Sequence, residues 1–110
     1  MRVQIPLGIP EVKMIDRVEL PVNYVKLTQP ERAVIRKRYI IEQDGRCWFC
    51  DEYLCDPAAE KVLAKKLNIR LFPPGFLDHP VHLHHDHNTD LTLGAVHAYC
   101  NGYLWQYLGE

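Results

Sequence analysis

The sequence predicts an α+β fold, built as one small domain that ends in a strand–turn–strand–helix unit. Three observations carry this. Thr28-Gln29-Pro30-Glu31 and Asp56-Pro57 both have the composition of helix starts. Val81–His85 and Leu91–Val96 are short strand-like runs on either side of His87-Asn88-Thr89-Asp90, which has turn composition. Two short chelating pairs, Cys47-x-x-Cys50 and His97-x-x-Cys100, lie in the middle and near the end of the chain, where one ion would tie them together.

The elements follow in chain order. Residues 1–27 mix Pro6, Pro10 and Pro21 with β-branched residues, which makes poor central strands and predicts an extended N-terminal arm. Thr28 is a hydroxyl N-cap, Pro30 suits a first turn and Glu31 completes a capping box, so a helix is expected from Thr28 to about Gln43, stopped by Gly45. Asp56-Pro57 predicts a second helix over 57–67, with Ala58, Val62, Leu63 and Leu67 as its apolar side and Asn68 near its end. Leu71–Pro80 reads as a Pro-rich loop. The two strands follow, and Ala98–Leu108 forms a final helix. The domain proper is therefore expected over 28–110.

Composition bounds the function. With 110 residues, 47% hydrophobic and 25% charged, the chain is an ordinary globular domain with a thin core. No apolar run reaches the roughly 18–20 residues of a membrane span, and Pro6, Gly8 and Pro10 interrupt anything resembling a secretory signal. A soluble, cytoplasmic protein is expected. Thirteen Lys and Arg against fourteen Asp and Glu exclude a strongly basic coat but not a local basic patch. The segregation is informative: the last Lys or Arg is Arg70, and all six histidines lie between His79 and His97.

Without a secretory signal, the cysteines read better as metal ligands than as disulfides. Structural Zn²⁺ takes four tetrahedral ligands, and Cys47, Cys50, His97 and Cys100 supply a Cys₃His set. Cys55 has no partner at chelating spacing and is expected to be a free, buried thiol. His82-Leu83-His84-His85-Asp86-His87 concentrates four histidines and an aspartate at the end of a strand. A divalent metal and a general base could both be built from such a cluster; a solvated His-rich turn or a second zinc site is the blander alternative.

Taken together, Gly45-Arg46-Cys47-x-x-Cys50, the His82–His87 cluster, Gly94 and His97-x-x-Cys100-Asn101 form a series that resembles the HNH endonucleases. It is similar to the phage-type members of the recombination endonuclease VII group, over roughly Tyr39 to Trp105. The resemblance implies a zinc-stapled ββα-metal domain with added helices. It implies His85 as the general base and His87 as a phosphate-binding histidine. His84 and Asn101 would hold a catalytic divalent ion, and Cys47, Cys50, His97 and Cys100 the structural zinc. Two positions depart from the pattern. His97 stands where cysteine is common, an exchange zinc accepts. His84 stands where a carboxylate is usual, which favours Mn²⁺, Co²⁺, Ni²⁺ or Zn²⁺ over Mg²⁺; Asp86 is a nearby carboxylate, and the final helix carries no acidic residue after Asn101.

The implied reaction is metal-dependent hydrolysis of DNA, leaving 5′-phosphate and 3′-hydroxyl ends, in the cytoplasm of the host cell if the protein is phage-encoded. Lys61, Lys65, Lys66 and Arg70 are one candidate DNA-binding surface, and Arg32, Arg36, Lys37 and Arg38 another. A homodimer is compatible with the sequence. The competing readings are a non-enzymatic zinc module that binds DNA or protein, and a regulatory or transport metal-binding protein. One geometric condition is set in advance: adjacent strand residues point to opposite faces, so His84 and His85 can serve one site only if the strand ends or bulges there.

Overall fold

The computed structural model describes residues 18–110, so most of the expected N-terminal arm, 1–17, lies outside the described residues. Helix α1 runs Gln29–Glu42 and starts as the sequence predicts. Glu31 N–H donates to Thr28 Oγ1, and Glu31 Oε1 accepts from Thr28 N–H at 2.9 Å, giving a complete capping box. The helix ends at Gln43, and Asp44 and Gly45 follow with φ of 55° and 77°. Glycine adopts that left-handed conformation at Gly45 without steric cost.

Strands β1 (Val81–His85) and β2 (Thr92–His97) pair antiparallel, and helix α3 (Ala98–Leu108) follows β2 without a break. The core forms where α1 and α3 meet this hairpin, around Ile35, Tyr39, Leu83, Ala95, Val96 and Cys100. Tyr39 ties α1 to β2: its hydroxyl donates to the Thr92 carbonyl at 3.2 Å and lies 2.8 Å from Thr92 Oγ1. At the end of α1, the Gln43 amide pairs with the peptide of Ala95, donating to its carbonyl and accepting from its N–H, both at 2.9 Å. Trp48 N–H donates to that same carbonyl at 2.9 Å. The loop carrying Cys47 and Cys50 is thereby fastened along β2.

Two expectations need correction. The helix expected over 57–67 is a single turn, α2 (Glu60–Leu63), with Ala59 and not Asp56 at its N-cap. Beyond its end, side chains of α3 hold the backbone. The Tyr99 hydroxyl donates to Lys65 O at 2.6 Å, and Tyr107 and Gln106 donate to Lys66 O. Leu67 packs so closely on Gly102 that a Cβ there would lie 2.7 Å from Leu67 Cδ1. A short 3₁₀ turn follows at Ile69–Leu71. Cys55, expected to be buried, is exposed.

Residues 18–27 are packed onto the hairpin. Val18 and Leu27 are buried, Thr92 N–H donates to Val22 O, and Tyr24 N–H donates to Asp90 O. Tyr24 is thereby held beside the end of β1. Among the described residues, no helix is long and apolar enough to cross a membrane.

Candidate metal centre and histidine cleft

Cys47 and Cys50 lie on a tight loop in which Asp51 N–H donates to Cys47 O and Cys47 N–H to Glu52 O. His97 ends β2, and Cys100 lies in the first turn of α3. The ligand atoms of these four residues all fall within 4.8 Å of one another, an arrangement able to hold a metal ion. His97 Nδ1 lies 3.5 Å from Cys50 Sγ and 3.7 Å from Cys100 Sγ. On the far side of the ring, Nε2 lies 3.0 Å from Tyr53 O and 2.8 Å from Asp56 O. Carbonyls only accept, so Nε2 carries the proton and the Nδ1 lone pair is aimed at the sulfurs, the second-shell pattern of a metal-ligating histidine. The thiols polarise one another: the hydrogen bond from Cys100 draws Cys47 well below the ordinary thiol range, while that bond and burial push Cys100 up. Cys55 lies outside this group.

The histidine cluster divides between two faces of β1. The ladder is irregular between His84 and His85: His84 pairs with Gly94, but His85 pairs with Thr92, leaving Leu93 as an extra residue. The bulge required by the sequence is therefore present. His84 is 2% exposed and packs near Trp48, whose ring also covers Gly94. A Cβ on Gly94 would stand 2.7 Å from Trp48 Cγ, so only glycine allows this approach.

His84 Nδ1 faces Asn101 Oδ1 at 3.2 Å, and Asn101 Nδ2 faces His82 Nδ1 at 3.1 Å. An amide nitrogen can only donate, so His82 accepts and turns the Asn101 oxygen toward His84. Two atoms with lone pairs converge in this way when one carries a proton or when both share a cation. Two ligands cis on one ion at roughly 2.1 Å stand about 3 Å apart, so the spacing suits either arrangement. His84 Nε2 is buried without a hydrogen-bond partner. Among the described residues, His84 and its neighbours do not form a second group of three or more His, Cys, Asp or Glu side chains.

His85 lies on the open side. Its ring stacks on Tyr24, with centroids 3.9 Å apart and planes 9° apart, and meets His87 edge-on at 4.7 Å. Burial, then the neighbouring His87 and His84, lower its pKa and favour the neutral ring. Burial likewise lowers His82 and His84. His85, His87 and Asn101 line a cleft of about 310 Å³ with Tyr24, Phe72 and Trp105. Sequence reading missed Tyr24 and His82. Tyr24 lies on the segment read as an arm, and His82 is separable from its neighbours only once Asn101 is located.

The two basic surfaces fare differently. Lys61, Lys65, Lys66 and Arg70 are exposed but do not share one helix, because α2 ends at Leu63. Arg32 and Arg36 of α1 line a second cleft, of about 340 Å³, with His79, His82 and Asn101. Arg38 is engaged elsewhere, on Glu42 and Val18 O.

No family model, curated protein or solved structure matches this chain.

Proposed function

We propose that the protein is a metal-dependent endonuclease of the HNH type that hydrolyses DNA phosphodiester bonds, with Zn²⁺ as a structural staple. The observation that carries this reading is the convergence on Asn101. His84 Nδ1 meets its oxygen at 3.2 Å, and His85 opens into the cleft that Asn101 also lines. Further support comes from the ligand set beneath it. Three cysteines and a histidine with its tautomer fixed by two carbonyls are the donors Zn²⁺ favours over harder ions.

In this reading His84 and Asn101 would hold a divalent ion, which would supply stabilisation of negative charge on the phosphate and on the departing oxygen. The protein would offer that ion one nitrogen, His84 Nδ1, and one amide oxygen, Asn101 Oδ1. His85, neutral and stacked on Tyr24, takes a proton from the attacking water. His87, edge-on to His85, would donate to a phosphate oxygen. In-line attack with departure of the 3′ oxygen leaves 5′-phosphate and 3′-hydroxyl ends.

The competing reading is a non-catalytic zinc module. It is favoured by one fact: among the described residues only the Cys47, Cys50, His97 and Cys100 group gathers three or more ligand side chains. Nicking of supercoiled plasmid with Mg²⁺, Mn²⁺, Co²⁺, Ni²⁺ and Zn²⁺ in turn separates the two. The wild type should nick with at least one ion. His85→Ala should lose roughly 10²–10⁴-fold in rate, the range of general base catalysis, with zinc content and DNA binding retained. A wild type inert under every ion would leave the zinc module as the function.

A further inference from the structure

The cleft beside His85 and the cleft beside Arg36 share four lining residues, Tyr24, Phe76, Leu83 and Asn101, so they adjoin, and together they offer a groove with two chemically different halves. The first half is walled by Leu71, Phe72 and Trp105, opposite His85 and His87. Leu71 and Trp105 are 49% and 46% exposed, a large apolar surface to leave in water on so small a domain. Phe72 meets Phe76 and Trp105 at 4.6 and 5.5 Å, so the wall is a connected aromatic cluster.

The second half is cationic. Arg32 is fixed by Tyr24, donating to its carbonyl at 3.3 and 3.2 Å and lying 3.9 Å above its ring. Arg36 reaches His79 Nε2 at 3.4 Å. Neither guanidinium forms an ion pair with a carboxylate among the described residues, although both are half-buried. Two partly desolvated guanidiniums facing one cleft call for an anion, and an arginine fork matches phosphate.

An apolar ring-sized wall and a phosphate-binding cleft, joined at Asn101, are the two chemistries of one nucleotide. We infer that the groove holds a single unpaired DNA nucleotide, its base against Phe72 and Trp105 and its neighbouring phosphate on Arg32 and Arg36. A base stacked within a duplex has no free face for Trp105, so the preferred substrate carries at least one unstacked base. This rests on the nuclease reading for the scissile position, but the binding preference stands apart from cleavage.

The test measures binding by anisotropy, using zinc-loaded protein without added divalent ion. Three labelled DNAs are compared: a perfect duplex, the same duplex with one bulged 2-aminopurine, and the same duplex with an abasic bulge. The bulged base should bind about 10-fold or more tighter than either of the others, and its fluorescence should be quenched by stacking. Trp105→Ala should remove the difference between the base and abasic bulges, whereas Trp105→Phe should keep most of it. Arg36→Gln should weaken all three DNAs alike and reduce the salt dependence. Equal affinity for the base and abasic bulges, or a preference that survives Trp105→Ala, overturns the inference. A protein that nicks plasmid but shows no preference rejects the inference alone. One that prefers the bulged base yet never cuts rejects only the nuclease reading.

Discussion

Asn101 presents its oxygen to His84 while its nitrogen donates to His82, at 3.1 Å. His82 is in turn kept neutral by burial and bordered edge-on by Phe76 at 4.7 Å. A chain of three side chains, none of them the base, therefore sets the direction of the candidate metal ligand. His82→Phe removes the acceptor but keeps a ring against Phe76. It should raise the concentration of divalent ion needed for half-maximal nicking by roughly 10-fold or more, the usual cost of a lost outer-shell partner, and leave the zinc content at wild type. An unchanged metal requirement would show that Asn101 holds its orientation alone. At His84 itself the sign of the change is reversed. His84→Asp replaces imidazole with a carboxylate and should move the ion preference toward Mg²⁺, which takes oxygen ligands. His84 and His85 stood out as candidates for chemistry, because four histidines and an aspartate in six residues are not a routine surface, whereas Asn101 entered only through the family resemblance. The role of His82 was not readable, since nothing local distinguishes one histidine of the cluster from the next.

At the level of elements, three local patterns are kept. Helix α1 begins where its capping box stands, and α3 and β1 have the limits their patterns predict. Thr28→Ala should cost about 1 kcal/mol, the usual worth of a hydroxyl N-cap, measurable as a lower denaturant midpoint with an unchanged slope. Gly94→Ala should cost more, because the added Cβ meets Trp48 Cγ at 2.7 Å and the loop carrying Cys47 and Cys50 is fastened beside it. Overpacking of this kind costs roughly 1–3 kcal/mol, and the same denaturant measurement should place Gly94→Ala below Thr28→Ala. The helix expected over 57–67 failed for a reason no local signal carries. Asp56 caps no helix: its carbonyl, which would accept the first bond of a helix starting at Pro57, faces His97 Nε2 instead, and the chain past α2 is held to α3 where Tyr99, Gln106 and Tyr107 bond Lys65 O and Lys66 O. Tertiary hydrogen bonds from residues more than 30 positions away outweigh a weak propensity.

Across the whole molecule, one helical turn connects the two sites. Cys100 and Asn101 are adjacent on α3, so their side chains diverge by about 100° around its axis. Cys100 then faces the knuckle of Cys47 and Cys50 while Asn101 faces His84 and His82. An ion held by the four residues would set the rotation of the helix that carries Asn101, and would join the loop after α1 to the hairpin and α3. A two-stranded sheet cannot stand alone in water, and this core is thin, so the link is expected to decide whether the domain folds. Small zinc domains draw roughly 10–16 kcal/mol of apparent free energy from their ion, against a total stability of roughly 5–15 kcal/mol for an ordinary domain. Stripping the metal should therefore unfold the chain rather than soften it. Titration with a strong chelator should release about one zinc per chain, and loss of far-UV circular dichroism should track that release. Cys50→Ser should give the same loss, whereas Cys55→Ser, exposed and outside the ligand group, should melt as the wild type does. If the metal leaves and the melting transition stays in place, the four residues are not the staple, and the alignment of Asn101 with His84 must come from the packing of α3 on the hairpin alone.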